Sequence, residues 1–476
     1  MIIWGVNEAA HDSALAVIED GNILFAGHSE RYSKQKNDWY LNTDIVDEAL
    51  KHGRPDKIAY YENKFLKGTR LALFGGRGSN QTTFERYTDA PVTQFKHHYS
   101  HAAAGYYTSK FDDAVIVVLD AIGEWTTSSI WLGQGSDIKK LRSFGYPLSF
   151  GLFYSAFTHL IGLKPNQEEY IMMGMAAYGD KTRFLDKVNS YFPSIKKQKY
   201  NFHLGITDWL IDEDEQTKFD IAAAVQEVFS RRLMEFMSMA KKLSGKKNLV
   251  YMGGVALNSS ANTALWDIFD DIWIMPNPGD AGSSLGAAAA LHGKHVDWKG
   301  PYLGTEIEGE YPVQKIFDKL KKDKIAPVAS GRAEFGPRAL GNRSILADPR
   351  DPDIKDKVNL IKKRELFRPF APMVLEEEAH HWFDMPAKNL EYMQYTVRCK
   401  QPDLIPSVVH ADGTSRVQTV NGVEHPELYK LLKKWHKYSG VPVLLNTSLN
   451  IKNQPLLDSV SDVAAWEEMY RTKIVT

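Results

Sequence analysis

Two stretches of the sequence repeat the same order of apolar runs and tight turns. Residues 2–28 contain three such runs, IIWGV, SALAVI and NILFAGH, and residues 114–144 repeat the order with AVIVVLD, TTSSIWL and IKKLRSF. The Asp-Gly pair in EDGN is typical of a hairpin turn between two strands. The pattern indicates an internal duplication of a three-strand meander, with helices after each copy.

A duplicated meander of this kind resembles the ribonuclease-H-like fold of actin, sugar kinases and heat-shock ATPases. In that fold the two meander loops face each other across a nucleotide cleft. The resemblance implies an α/β chain with an actin-like N-terminal domain over residues 1–300. Residues 292–312 are rich in Gly, Pro and charge and predict a linker. At 476 residues the chain is too long for one typical domain, so we expect a second α/β domain over residues 313–476.

The composition is that of an ordinary globular protein with 43% hydrophobic residues and a net charge of -1. The near-neutral charge does not favour nucleic acid as a main partner. The single cysteine, Cys399, excludes an intramolecular disulfide and fits a reducing compartment. No signal peptide and no apolar window of membrane-spanning length is recognisable, so we expect a cytoplasmic protein.

The stretch KHHYSHAAAGYY, residues 96–107, carries two candidate metal ligands. On a helix, His97 and His101 lie four residues apart and face the same way, and such a pair can hold a divalent metal. Pairs of this kind also flank buried helices without any metal. Asp120 ends the strand AVIVVLD, and Asp280 stands just before a helix at NPGDAGSS. Asp280 suits a ligand contact, although an ordinary helix N-cap explains it as well.

The stretch NLVYMGGVALNSSANTAL reads as a buried strand, a tight turn and a helix. Gly253 and Gly254 form the turn, and Asn258 or Ser259 lies near the helix N-cap. Exposed amides and the helix dipole at such a turn favour binding of an anion, but an ordinary strand-to-helix turn explains this sequence pattern equally well. A glycine-rich stretch at residues 75–83 follows no clear strand, so we do not interpret it as a phosphate loop.

The C-terminal third concentrates basic residues among Gly and Pro. Residues 330–352 contain four arginines, and residues 362–372 and 410–418 add further lysine, arginine and histidine. Arginine on a rigid backbone suits bidentate binding of phosphate or carboxylate, whereas a solvated basic face is usually a Lys-rich helix. The stretch NTSLN at residues 446–450 follows an apolar strand, where α/β domains place ligand contacts. These stretches predict an anion pocket.

Taken together, these stretches resemble the O-carbamoyltransferase family of nodulation and antibiotic biosynthesis. EFGPRALGNRSILADPR followed by FRPFAP is highly specific for that family. The weaker matches run in family order along nearly the whole chain: HDSALAVIEDG, HHYSHAAAGYY, MGMAAYGD, GGVALNSSAN, NPGDAGSSLGAA, HADGTSRVQTV and GVPVLLNTSLN.

The resemblance implies an ATP-dependent transferase with two active sites. The C-terminal domain, similar to the domain that makes threonylcarbamoyl adenylate, would form carbamoyl adenylate from carbamoyl phosphate and ATP with magnesium. The N-terminal domain would pass the carbamoyl group to a hydroxyl of a small molecule or sugar. The implied metal ligands are His97, His101 and Asp280 with Asp120 beside them, and iron(II) or zinc suits that donor set.

The resemblance also assigns the remaining candidates. The residues that would bind the adenylate are Gly253, Gly254 and Asn258. Those that would orient or deprotonate the acceptor hydroxyl are His11 and Asp12, together with Asp120 at the metal. Those that would bind carbamoyl phosphate and ATP are Arg338, Arg343, Lys362, Arg364, Arg368, Arg416, Asn446, Ser448 and Asn450. The motif does not distinguish Lys362 from Lys363.

One departure from the family pattern affects ligand binding. The family commonly has Glu-x-Lys before its MGLAPYG motif, whereas this chain has Glu169, Tyr170 and Ile171 before MGMAAYGD. The lost cation would weaken any anion contact that it makes, so acceptor or nucleotide binding is expected to differ.

Three alternatives remain at this stage. A transferase that modifies a nucleic-acid base is disfavoured by the near-neutral charge. A non-catalytic nucleotide-binding scaffold would have no physical need to keep unpaired cations together. A plain sugar kinase would not need the arginine-rich C-terminal domain. The sequence leaves a homodimer open.

Overall fold

The computed structural model describes residues 1–74, 81–199, 201–212 and 214–476. Most of the glycine-rich stretch at 75–83 therefore lies outside the described residues. The chain divides into two compact units. The first comprises Met1–Leu24 and Asn37–Trp298, and the second comprises Phe25–Lys36 and Lys299–Thr476. Within the described ranges, no helix combines the length and apolar character needed to cross a membrane.

The structure contains both β-strands and α-helices. The strands are β1 (Ile2–Asn7), β2 (Ala14–Glu19), β3 (Asn22–His28), β4 (Lys57–Tyr60), β5 (Val92–Gln94), β6 (Asp113–Gly123), β7 (Thr126–Gln134), β8 (Asp137–Gly145), β9 (Asn248–Met252), β10 (Asp271–Trp273), β11 (Tyr302–Ile307), β12 (Ile325–Ala329), β13 (Gly331–Glu334), β14 (Arg343–Ala347), β15 (Ala371–Leu375), β16 (Thr396–Arg398), β17 (Thr414–Arg416), β18 (Gln418–Val420) and β19 (Val443–Ser448). The helices are α1 (Glu30–Ser33), α2 (Thr43–Leu50), α3 (Lys64–Phe74), α4 (His97–Thr108), α5 (Phe150–Leu160), α6 (Glu169–Met175), α7 (Leu185–Tyr191), α8 (Glu215–Ser244), α9 (Ser259–Asn262), α10 (Gly282–His292), α11 (Val313–Asp323), α12 (Ile354–Ile361), α13 (Ala379–Trp382), α14 (Pro426–Ser439) and α15 (Val460–Tyr470).

Two five-stranded sheets share one topology. The first has the order β3-β2-β1-β4-β5, and the second has β8-β7-β6-β9-β10. In each, the first strand of the meander runs antiparallel to the second strand and parallel to the fourth. The predicted duplication is therefore confirmed, and this mixed strand order is that of the ribonuclease-H-like fold.

The helices α4 and α10 occupy equivalent places in the two copies, because α4 follows β5 and α10 follows β10. They pack closely through small residues. A Cβ at Gly286 would lie 2.0 Å from the carbonyl oxygen of Ser100 on α4. On its other side α10 packs against β1, where a Cβ at Gly5 would lie 1.9 Å from the carbonyl oxygen of Ser284. Only glycine permits this approach, which explains the small residues in HHYSHAAAGYY and SSLGAAAA.

The second unit is built on a third five-stranded sheet with the order β12-β14-β19-β15-β18. Its core lies between this sheet and the helices α11 and α14, and it includes Ile316, Leu346 and Trp435. Residues 302–307 form β11, which pairs with β13. The interpretation of all of 292–312 as a linker is therefore wrong. The grouping of residues 25–36 with this unit has no counterpart in the sequence analysis.

Candidate active sites

Four buried side chains converge in the first unit. His97, His101, Asp120 and Asp280 each offer one ligand atom, and these atoms all lie within 4.8 Å of one another. His97 Nε2 lies 2.9 Å from Asp120 Oδ2, 3.1 Å from His101 Nε2 and 3.4 Å from Asp280 Oδ1. Two imidazole nitrogens and two carboxylate oxygens are a donor set that suits zinc or iron(II).

The local fold places each of these groups. His97 is the first residue of α4 and His101 lies one turn later, so both rings project from one face. Asp120 lies where the pairing of β6 with β7 is interrupted between Leu119 and Gly123. Gly123 leaves room for the His97 ring, since a Cβ there would lie 2.3 Å from a ring carbon.

Opposite charges stabilise one another in this cluster. Burial lowers the pKa of His97, but the charges of Asp280 and Asp120 outweigh burial and raise it well above its usual value. Burial likewise raises the pKa of Asp280, but His97, His101 and His11 outweigh it and hold that pKa well below its usual value. Burial and Asp280 raise the pKa of Asp120, but His97 and His101 outweigh them and lower it as well. Both carboxylates are therefore ionised, and a divalent cation that binds here would displace the proton of His97.

A buried ion pair behind His97 was missed by the sequence analysis. Glu62 Oε2 lies 4.0 Å from His97 Nδ1, which makes no hydrogen bond within the described part of the chain. Lys67 donates to Glu62 and, at 2.9 Å, to the carbonyl of Ala9. Glu62 lies two residues after the end of β4, and no local sequence pattern marks this ion pair.

His11 and Asp12 lie beside this cluster, as the first meander loop predicts. His11 Nδ1 lies 2.9 Å from Asp12 Oδ2, and its Nε2 lies 3.7 Å from Asp280 Oδ2. Partial burial lowers the pKa of His11, but the hydrogen bond with Asp12 and the charge of Asp280 raise it to about 10. With this raised pKa, His11 is protonated at neutral pH, and its ring nitrogens donate hydrogen bonds.

The turn after β9 also borders the cluster. A Cβ at Gly254 would lie 3.4 Å from Asp120 Oδ1, and Gly253 has a φ of 93° and passes the backbone of Leu119 too closely for a Cβ. Asn258 is the N-cap of α9, as predicted, and accepts from Ala261 N. Its amide also pairs with that of Gln226, with both N···O distances at 3.1 Å.

In the second unit, three predicted residues come together. Lys362 Nζ donates to Ser448 Oγ at 3.0 Å and to Asn450 Oδ1 at 2.7 Å. Burial, with the charges of Arg364 and Arg368, holds the pKa of Lys362 well below its usual value. Lys363 instead lies over a tyrosine ring, so the structure distinguishes the two lysines that the motif left equivalent.

Arg416 belongs to a second group of cations. Burial and the nearby charges of Arg338 and Arg364 hold the pKa of Arg416 well below its usual value. Arg416 Nε is buried and has no hydrogen-bond partner among the described residues. Clustered like charges with an unused donor indicate a place for an anion.

Two predicted anion ligands have other roles. Arg343 is fully buried, and its guanidinium donates, among the described residues, to backbone carbonyls alone, including those of Ser330, Asn342 and Asp458. Its donors are used within the fold, so we do not retain it as a phosphate ligand. Asn446 donates to the carbonyl of Ala339 and to a glutamine side chain, which makes it a structural residue. Arg368 donates to a glutamate three residues away.

Ile171 is buried in α6. The position that the family pattern predicts as Lys therefore holds a buried apolar side chain, which offers no charge to an anion.

The strand order and the two groups of polar residues define a ribonuclease-H-like unit joined to a second α/β unit. Two family models match: "Carbamoyltransferase N-terminus" over residues 58–289 and "Carbamoyltransferase C-terminus" over residues 317–475. The chain therefore belongs to the carbamoyltransferase family and is a transferase, which confirms the resemblance drawn from its motifs.

Relatives match over most of their length. Nodulation protein NolNO of Sinorhizobium fredii is 31% identical, and the match covers 96% of this chain and 76% of that protein. Nodulation protein NolO of Bradyrhizobium diazoefficiens is 33% identical over 77% of this chain and 74% of its own. Nodulation protein U of Sinorhizobium fredii is 29% identical, and the match covers 98% of this chain and 96% of that protein.

Among solved structures, full-length HypF in a phosphate- and nucleotide-bound form is similar to this chain. The match has a TM-score of 0.36 and 14% identity, and it covers 61% of this chain and 46% of HypF.

Proposed function

We propose that this protein is an ATP-dependent O-carbamoyltransferase with two separate sites. The observation that carries the proposal is the presence, in one carbamoyltransferase chain, of a buried His/Asp cluster in the first unit and a cationic cluster in the second. The first suits a metal-assisted transfer to a hydroxyl, and the second suits two phosphorylated substrates. The expected partners are carbamoyl phosphate, ATP with magnesium and a small-molecule or sugar hydroxyl. We expect the reaction to take place in the cytoplasm.

The first half-reaction belongs to the second unit. Carbamoyl phosphate is hydrolysed to carbamate and phosphate, which consumes one water. A carbamate oxygen then bonds to the α-phosphorus of ATP, and the bond from that phosphorus to pyrophosphate breaks. Arg338 and Arg416 hold the carbamoyl phosphate, while Lys362, Ser448 and Asn450 hold the ATP phosphates. Cations fixed before the substrate arrives stabilise the developing charge without reorganisation.

The transfer belongs to the first unit. The acceptor oxygen bonds to the carbamoyl carbon, the bond from that carbon to the adenylate oxygen breaks, and AMP leaves. Gly253 and Gly254 present backbone to the adenylate, and Asp12 receives the hydroxyl proton while His11 orients the acceptor. A divalent metal held by His97, His101, Asp120 and Asp280 would polarise the carbamoyl carbonyl.

A half-reaction assay tests this proposal. Folded, metal-loaded protein is incubated with ATP, magnesium and carbamoyl-labelled carbamoyl phosphate, without an acceptor. We expect labelled carbamoyl adenylate together with equal amounts of pyrophosphate and phosphate. ATP with a methylene group between its α- and β-phosphorus atoms is the control and should give none. Absence of the adenylate with authentic ATP would contradict the proposal.

A further inference from the structure

The loop that carries Arg338 is closed around one buried carboxylate. We call residues 334–343 the Arg338 loop. Glu334 Oε1 accepts from the amides of Leu340 at 2.7 Å, Asn342 at 2.9 Å and Arg343 at 3.2 Å. These bonds draw the two ends of the loop together, so the position of Arg338 depends on the backbone at residues 334–336.

That part of the backbone is held by a residue from the other end of the sequence. Arg31, on α1, is 3% exposed. Its Nη1 donates to the carbonyl of Glu334, and its Nη2 donates to that of Gly336 at 2.6 Å. His28, in the same segment, packs its ring 5.3 Å from that of Phe335. A planar guanidinium with two donors fixes both carbonyls in one orientation.

We propose that Arg31 is a positioning residue for the carbamoyl phosphate site, acting through the Arg338 loop. This inference rests on the proposed function of that site. Arg31 lies outside both family-model matches, which span residues 58–289 and 317–475. Without Arg31 two carbonyl oxygens of buried residues lose the guanidinium donor, the loop relaxes, and Arg338 no longer has a fixed position for binding its substrate.

The same segment supplies a matched control. Lys34 lies three residues after Arg31. Its Nζ donates to Asp462 Oδ2 at 2.6 Å and also to the backbone carbonyl of Arg31. Asp462 belongs to the capping box of α15 and makes no hydrogen bond with the Arg338 loop among the bonds described. Lys34→Met therefore removes one positive charge and both of these bonds, but it leaves in place the bonds from the Arg31 guanidinium to the Arg338 loop.

The test measures steady-state constants of the first half-reaction in wild type, Arg31→Met, Arg31→Lys and Lys34→Met. We expect Arg31→Met to raise KM for carbamoyl phosphate about tenfold while KM for ATP changes less than about twofold. For Arg31→Lys we expect a KM for carbamoyl phosphate between those of wild type and Arg31→Met, because one ammonium group cannot hold both carbonyls in one plane. Both KM values of Lys34→Met should stay within about twofold of those of wild type. An unchanged KM for carbamoyl phosphate in Arg31→Met, or equal changes in both KM values, would overturn the inference.

Amide hydrogen exchange gives a readout independent of activity. Arg31→Met should exchange faster at residues 335–342 than wild type, whereas Lys34→Met should not. If Arg31→Met fails to fold, Arg31→Lys is compared with wild type instead, both in its KM for carbamoyl phosphate and in its amide exchange. Wild type that makes no carbamoyl adenylate would refute the proposed function, while exchange would still show whether Arg31 orders the loop. Unchanged exchange at 335–342 in both Arg31 variants would overturn the positioning role.

Discussion

At the residue scale, the candidate metal site depends on space as much as on ligands. Gly123 leaves the space in which the His97 ring lies against Asp120 and Asp280. Behind that ring Glu62 and Lys67 form a buried ion pair, with Glu62 Oε2 4.0 Å from His97 Nδ1.

We predict that Gly123→Ala weakens metal binding without removing a ligand. The added methyl would lie 2.3 Å from the His97 ring, so the ring must turn away from Asp120 and Asp280. Changes to the groups that hold a metal ligand in position typically cost about 10- to 100-fold in metal affinity, and Gly123 is such a position for His97. Competition with a chromophoric chelator measures this affinity for zinc and iron(II). Gly279→Ala is the control, because a Cβ there meets nothing within 4 Å. Equal affinities in the two variants would contradict the geometry.

Arg343 was predicted to bind a phosphate, but in the structure its guanidinium donors are used by backbone carbonyls. An arginine beside Gly and Pro looks the same in sequence whether its donors meet a phosphate or backbone carbonyls. The difference lies in residues such as Asp458, which is distant in sequence and brings its carbonyl within 2.9 Å.

At the element scale, a predictable feature was the apolar pattern of the two meanders, because buried strands leave a strong signal. The motif MGMAAYGD shows what the pattern did not reveal. Its last residue, Asp180, donates its amide to Asp220 Oδ1 of α8 at 2.7 Å, and Arg183 donates to the other carboxylate oxygen at 2.9 Å. Asp220 thus anchors the motif to α8.

This anchor predicts a pH dependence of stability. Burial raises the pKa of Asp220, but hydrogen bonds from Asp180 N, Arg183 and Gln216 outweigh it and lower that pKa below its usual value of about 3.9. The stabilisation is therefore fully present above about pH 4 and is lost as pH falls through the lowered pKa. Asp220→Asn should lower Tm at pH 7, and the difference from wild type should shrink on acidification to about pH 3.

The control for that measurement is Asp186→Asn, which changes an exposed carboxyl on α7. Its Tm should follow that of wild type at each pH. A Tm difference for Asp220→Asn that stays constant from pH 7 to pH 3 would show that its carboxylate is not a stabilising charge.

The contact between α4 and α10 gives a second prediction at this scale. Gly286→Ala places a Cβ 2.0 Å from the carbonyl of Ser100, so the helices must separate. We expect a loss of about 1–3 kcal/mol in the free energy of unfolding, measured by denaturant titration. Ala290 on the same helix is partly exposed, so Ala290→Ser is the control and should lower the free energy of unfolding by less than about 0.5 kcal/mol. Equal losses would contradict the packing.

At the scale of the whole molecule, the sequence predicted two kinds of chemistry and the duplicated fold, since both leave local motifs. It did not predict that residues 25–36 cluster with the second unit. That grouping depends on contacts such as Arg31 with Gly336, which join residues about 300 positions apart and leave no periodic signal.

The most direct test of two separate sites is a pair of half-reactions measured on two variants. His101→Ala should form carbamoyl adenylate at the wild-type rate but fail to transfer the carbamoyl group to a hydroxyl acceptor. Arg416→Ala should form none, yet it should still use carbamoyl adenylate supplied ready-made. Loss of both half-reactions in either folded variant would contradict the account.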